Sequence, residues 1–464
     1  MDPWIFVHLQ DEAKPKKGVR YGPGESIMLE YKQTFDAWQD GGVKGIVVGR
    51  LTFQQPDGTK LLTWQPDPKV YESYGVSPPL PQPRDLEKEK HLHAMLDDAA
   101  SRDWQIMIFV SHPPHGRLPF DQDPFGAISG AAGVQDMMNA YPQVSGHIID
   151  GPGEGHYELS FIHGGELFEV MEHHRNIWSR LGKDVDRAER GMEHLRDRFH
   201  HLTPSLVRYH APGGLLGGLL LFDFNEDALY WLRARQETAI AMMAALREQY
   251  DKFNRKIALG GIPRTATFSA LTGQNYERMA QYFDHVFPKH YFWHRGYDGM
   301  YGSIARWVRR LSKWNPSLSE ADCFSVVKSW FGISLPGVAS IAEMDRGFPD
   351  EFFSEIVYSE TARAIEAVGE HAAGKIIPWV STGRSPHGGD QMSSGDLYRM
   401  LKVTEQAGAK RFLFHSTIDM GAAEWQVISD LCGNRWNEDP NGYWPLDTEK
   451  PHRWDGGRTP TQPE

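Results

Sequence analysis

Three carboxylates and two histidines fall within one short run, His147-Ile-Ile-Asp150-Gly-Pro-Gly-Glu154-Gly-His156-Tyr-Glu158. Acids placed this closely can divide the labour of acid–base chemistry, one holding a proton while another stays ionised. The apolar residues before them predict a short buried strand, and Gly151, Pro152 and Gly153 predict a sharp turn at its end. Such a turn would carry Glu154 between glycines that allow backbone to approach a ligand. Asp150 also has a structural reading as a cap of that turn, and Glu158 and Glu166 read as solvated acids.

Positioning these groups requires a repeated scaffold. Eight short apolar runs end in polar loops: Trp4–Leu9, Gly45–Arg50, Gln105–Val110, His147–Asp150, Ile257–Gly260, His285–Pro288, Ile376–Val380 and Arg411–His415. Helical periodicity lies between most of them, as in Arg84–Ser101 and Ser393–Ala407, which is the pattern of parallel βα units. Eight units predict an α/β fold, a (βα)8 TIM barrel, as a single domain over residues 1–436.

The spacing adds large helical insertions after strands 4 and 6. Strands 4 and 5 stand about 105 residues apart and strands 6 and 7 about 85, against roughly 30 for a bare unit. The insertions therefore span about 156–256 and 296–374. They hold the helical tracts Arg180–Arg198, Asp227–Lys256, Tyr301–Trp314 and Phe352–Val368, and would shape the cleft at the carboxyl ends of the strands. Residues 437–464 read as an irregular tail. The run from Gly213 to Phe222 is far shorter than the roughly 20 residues of a membrane span and reads as core packing or a strand.

Residues just past the strands would share one mouth. They include His8, Arg50, His112, Asp150, Glu154, Arg264, Lys289, Tyr291, His294, Asp298 and His415. Lys289, after Pro288, reads as a substrate-binding cation or as the partner of Asp150 or Glu154. Glu172-His-His174 and His200-His201 read as surface positions of the first insertion, and Cys323 and Cys432 as buried thiols without a disulfide framework or zinc spacing.

The formal charge of −12 disfavours nucleic acid and anionic membranes as partners, and a neutral or cationic substrate fits better. The oligomeric state is open. The first residues enter a strand without a basic flank, which reads as cytoplasmic, or as secreted where a leader has been removed. The Gly213 and Gly260 tracts lack the residues that complete a nucleotide site, and no cofactor is expected.

On three segments the sequence resembles TIM-barrel glycoside hydrolases: Ile149-Asp150-Gly-Pro-Gly-Glu154, Phe287-Pro-Lys289-His-Tyr291 and Phe412-Leu-Phe-His415. The resemblance implies a carbohydrate-metabolising hydrolase, a glycosidase acting on a small molecule or oligosaccharide, with Glu154 as proton donor. Asp150 or Asp298 would be the second carboxylate. His8, Arg50, His112, Lys289, Tyr291, His294, Trp379 and His415 would bind substrate. Many such enzymes set a second Glu at strand seven, where this chain reads Trp379-Val-Ser381-Thr-Gly-Arg384. A chitinase-like pattern is only loosely echoed by Asp150, Glu154, Tyr291 and Asp298. Two other readings stand beside this one. A metal-dependent barrel hydrolase would use His8, His112, Asp150 and His415. A barrel that binds carbohydrate without catalysis would account for the missing strand-seven acid.

Overall fold

The computed structural model describes residues 1–7, 31–32, 35–36, 38–49, 51–54, 60–109, 115–153, 168–290, 292, 299–345, 349–380, 393–415 and 422–433. Over these residues the chain is a helix-rich α/β fold around a curled, parallel nine-stranded sheet. In chain order the strands are β1 (Asp2–Val7), β2 (Gly45–Val48), β3 (Thr52–Gln54), β4 (Lys60–Leu62), β5 (Gln105–Phe109), β6 (Gly146–Asp150), β7 (Ala258–Ile262), β8 (His285–Val286), β9 (Lys289–His290), β10 (Trp379–Val380) and β11 (Arg411–His415). The large sheet runs β8-β7-β6-β5-β2-β1-β11-β10-β9, and β3 pairs antiparallel with β4 in a separate hairpin.

All eight apolar runs hold a strand, because strands covered on both faces read as continuous hydrophobic sequence. The sixth is divided. Pro288 offers no N–H to a ladder, and β8 and β9 lie on either side of Phe287-Pro288. Phe287 N donates to Gly261 O (2.8 Å) and Lys289 N to Pro263 O (3.1 Å) on one flank. On the other, Ile377 N donates to Val286 O and Trp379 N to Pro288 O, both at 2.8 Å. The β3–β4 hairpin was not anticipated, since three-residue strands are too short to show a period.

Period-two alternation separates two cores. Trp4, Phe6, Val47, Met107, Ile148, Ile262, Phe287, Ile377, Trp379 and Leu413 form a cluster of their own on one face of the sheet. Space there is matched by glycine: a Cβ on Gly260 would stand 2.9 Å from the Phe287 ring and 3.0 Å from Ile148. The alternate residues, including Ile5, Val7, Ile46, Val48, Ile106 and Ile108, join the larger core with the helices.

The helices are α1 (Pro68–Ser73), α2 (Leu86–Ser101), α3 (Ala127–Ala140), α4 (Glu172–Arg180), α5 (Val185–His200), α6 (Pro204–His210), α7 (Gly214–Leu221), α8 (Glu226–Tyr250), α9 (Ser269–Thr272), α10 (Tyr276–Tyr282), α11 (Met300–Trp314), α12 (Glu320–Phe331), α13 (Tyr358–Val368), α14 (Ser394–Gln406) and α15 (Ala422–Cys432). Helix α8 begins where Asn225 accepts from Ala228 N, and α12 begins in a reciprocal Ser319–Asp322 capping box. The stretches after β6 and after β9 interlock. Arg208 of α6 grips Asp322 of α12 through two bonds of 2.9 and 3.0 Å, and Asn315 bonds both Leu202 N and Phe199 O.

Three expectations need correction. The Gly213–Phe222 run forms helix α7, and only Leu221 and Phe222 of its large side chains join the core, Leu215, Leu216, Leu219 and Leu220 being exposed. The tract from Phe352 to Val368 opens with a π-helix, Phe352–Val357, before α13. His174 is buried, its Nδ1 accepting from Met171 N at 3.2 Å, so it is not a surface residue, although His200 and His201 are. Cys323 is buried and Cys432 half-buried, both as free thiols. No helix among the described residues is long and apolar enough to cross a membrane.

Candidate active site

The parallel strands end together, and their last inward residues meet there. Ile148 lies in the inner cluster, so two residues on Asp150 faces the same side of β6. Phe287 likewise sets Lys289 inward, in register with Trp379 on β10. The outcome is an ion pair, Lys289 Nζ to Asp150 Oδ1 at 2.9 Å. The Lys289 side chain is 3% exposed and that of Asp150 36%, so the carboxylate is the member that meets solvent. Lys289 thus pairs with Asp150.

Beside the pair stands an aromatic wall. Trp379 stacks on Phe6 with centroids 4.9 Å apart and planes at 17°, and Phe109 meets it edge-on at 6.4 Å. Trp379 is itself only 4% exposed, its ring absorbed by this packing. His290, next in sequence to Lys289, faces the opposite side of the sheet, where its Nδ1 lies 3.5 Å from Thr361 Oγ1. Burial pushes that imidazole down to about 3, so it is neutral there.

The turn after Asp150 is pinned from three directions. Gly151 (φ 54°) donates its N–H to Ile262 O at 3.0 Å, and Pro152 O accepts from Gln274 Nε2 at 3.2 Å. Gly153 (φ 94°) packs on α8 so closely that a Cβ would stand 2.7 Å from that of Ala239. Gln274 is fully buried and also accepts from Arg264 N at 2.8 Å, tying the loops after β6 and β7 together. Arg264 is buried as well, its guanidinium 2.9 Å from Ser303 Oγ and 5.4 Å over the Phe268 ring, while Tyr276 donates to its carbonyl. It is a brace within the wall rather than a group open to the mouth.

Asp150, Lys289 and Trp379 meet at the strand ends, and Arg264 is tied through Gln274 to the turn after β6. Glu154, Asp298, His8, Arg50, His112, Tyr291 and His294 lie outside the described residues, as do Glu158, Glu166 and the tail from 437 to 464. Glu154 follows directly on the pinned Gly153. His415 ends β11 in register with Phe6, its side chain outside the description. Among the described residues no group of three His, Cys, Asp or Glu is placed to hold a metal ion. Gln274, Tyr276 and Ser303 were not singled out from sequence. Their partners stand far away along the chain, so no local pattern marks them.

No family model matches this chain, and no curated protein matches it in sequence. Its structure is similar to those of glycoside hydrolases. The PgaB (BpsB) glycoside hydrolase domain from Bordetella bronchiseptica is 10% identical at a TM-score of 0.43, over 90% of this chain and 94% of that one. A beta-galactosidase from Marinomonas ef1 is 10% identical at 0.44, over 93% of this chain and 59% of its own. A GH18 chitinase from Pseudoalteromonas aurantia is 9% identical at 0.37, over 92% and 97%.

Proposed function

We propose that the chain is a glycosidase working at the mouth of a single (βα)8 barrel over residues 1–436, with insertions at about 156–256 and 296–374. Continuous hydrogen bonding on both flanks of residues 286–289 supports taking β8 and β9 as one strand interrupted at Pro288, which makes eight. The observation that carries the functional reading is the Asp150–Lys289 pair at the strand ends. A carboxylate paired in its charged form serves as base or nucleophile, and cleavage of a glycosidic bond needs such a group beside a proton donor. Glu154, carried on the pinned turn, is the donor in this reading. Asp150 is preferred to Asp298 as its partner because Lys289 already holds it at the mouth. His8, Arg50, His112, Lys289, Tyr291, His294 and His415 are proposed to bind the sugar, with Trp379, packed on Phe6 and Phe109, as the aromatic backing of that site.

A panel of nitrophenyl glycosides and unactivated oligosaccharides tests this. Glu154→Gln is expected to lower turnover of the unactivated substrates by about 10²–10⁴-fold. The loss should be much smaller on nitrophenyl glycosides, whose leaving group needs no proton. Asp150→Asn should impair both. Equal turnover of Glu154→Gln and the native protein on unactivated substrates overturns the assignment. Activity abolished by a chelator and restored by metal favours instead the hydrolase built on His8, His112, Asp150 and His415. Sugar binding without turnover in the native protein favours a non-catalytic barrel.

A further inference from the structure

Helix α7 reverses the usual division between core and solvent. Its inward side is glycine: a Cβ on Gly217 would stand 2.1 Å from the His210 carbonyl oxygen, and one on Gly218 3.1 Å from Ser329 Oγ. The helix therefore lies backbone-close on the end of α6 and on α12, burying Gly217, Gly218 and Leu221. Its other leucines turn outward. Leu215, Leu216, Leu219 and Leu220 are 79, 72, 40 and 61% exposed, and their spacing gathers them on one face. Tyr209, on the neighbouring α6, is 80% exposed.

We propose that this face is a two-fold interface between copies of this chain. Together the five side chains present on the order of 600 Å² of apolar surface, the upper end of what a monomer leaves open. That approaches the roughly 800 Å² each partner contributes to a standard stable interface. From Tyr209 to Phe222 there is no Asp, Glu, Lys or Arg, in a chain that is 24% charged, so nothing there would select a charged partner. An apolar face is complementary to itself, and two α7 helices laid antiparallel across a two-fold axis bury leucine on leucine with their dipoles opposed. A membrane surface fits less well. Helices that lie on lipid carry Lys and Arg on their polar side, whereas α7 has none and the chain carries −12.

Sedimentation of the full chain from about 1 to 100 µM reads the equilibrium directly. The native protein is expected at twice the chain mass over most of that range. Leu216→Glu with Leu220→Glu places like charges across the axis and should weaken association by at least about 100-fold. Both positions are exposed, so in solutions dilute enough for both proteins to be monomeric the variant should keep the native unfolding midpoint. A native protein that stays monomeric at the top concentration overturns the proposal, as does a dimer indifferent to the double substitution. Phosphatidylcholine vesicles are the comparison arm. A monomer that floats with them through α7 assigns the face to lipid and equally overturns it.

Discussion

Gly153→Ala tests whether the turn leading to Glu154 is held as rigidly as its contacts require. Two costs arise in that one methyl group. Backbone φ at Gly153 is 94°, where an L side chain costs about 1–2 kcal/mol. The methyl would also stand 2.7 Å from the Cβ and 3.3 Å from the Cα of Ala239, which is fully buried on α8. To reach a 3.4 Å contact the turn must retreat by about 0.7 Å, and overpacking of this kind costs about 1–3 kcal/mol. The expected loss in urea unfolding is therefore about 2–5 kcal/mol with an unchanged m-value. Ala239→Gly removes the obstruction at about 1 kcal/mol of helix propensity. In the double variant it should return the packing part but not the backbone part, a favourable coupling of about 1–3 kcal/mol. Turnover offers a second readout, since displacing the turn should lower kcat by about 10–100-fold. A single variant within about 0.5 kcal/mol of the native protein, or strictly additive effects, would refute the reasoning.

Asp136 receives only donors: Trp64 Nε1 at 2.9 Å, Tyr71 OH at 3.0 Å and Asp67 N at 2.8 Å, which together fasten Trp64 and α1 to α3. Asp136→Asn must turn its amide nitrogen toward one of them and should cost about 1–3 kcal/mol in urea unfolding; unchanged stability would contradict the network. Burial pushes His174, His285 and His290 down to about 3, 4 and 3. The unfolded chain then binds protons below pH 6.5 that the folded chain refuses, so stability falls as pH drops from 6.5 toward 4. Each histidine contributes up to about 1.4 kcal/mol per pH unit, and His290→Gln should flatten that slope whatever its effect at neutral pH. An unaltered slope would show that His290 is charged when folded. Burial raises the Cys323 and Cys432 thiols to about 11, so a thiol reagent at pH 8 should label both slowly until urea is added. Rapid labelling of the native protein would contradict that burial.

Eight strands of the large sheet were legible because they fall in apolar runs with a polar end, as in Trp4-Ile-Phe-Val7 and Gln105-Ile-Met-Ile-Phe109. The helical tracts were legible because one face repeats, as along Met300, Ile304, Trp307, Val308 and Leu311 in α11. What escaped obeys contacts rather than periods. Helix α7 looked like core because hydrophobicity was taken as burial, whereas glycine made the close approach and left leucine outside. His174 looked like a surface residue because its sequence neighbours are polar, yet it packs beside Trp178, with ring centroids 6.0 Å apart.

The site divides along the same line. Asp150 and Lys289 could be found because a charge that ends an apolar strand stands out. Even their pairing follows from alternation: with Ile148 and Phe287 in the inner core, residues two further on must face the same mouth. Gln274 could not be found that way, since its bond to Pro152 spans 122 residues and its bond to Arg264 depends on how the β7 loop folds back. Yet it holds the turn that leads toward Glu154 in sequence, because it fixes the Pro152 carbonyl. Gln274→Leu should therefore leave Asp150 and Lys289 paired while loosening the turn. The expected signature is a fall in kcat on unactivated glycosides that is far smaller on nitrophenyl ones. An equal fall on both would place Gln274 in support of the whole mouth rather than of the proposed proton donor.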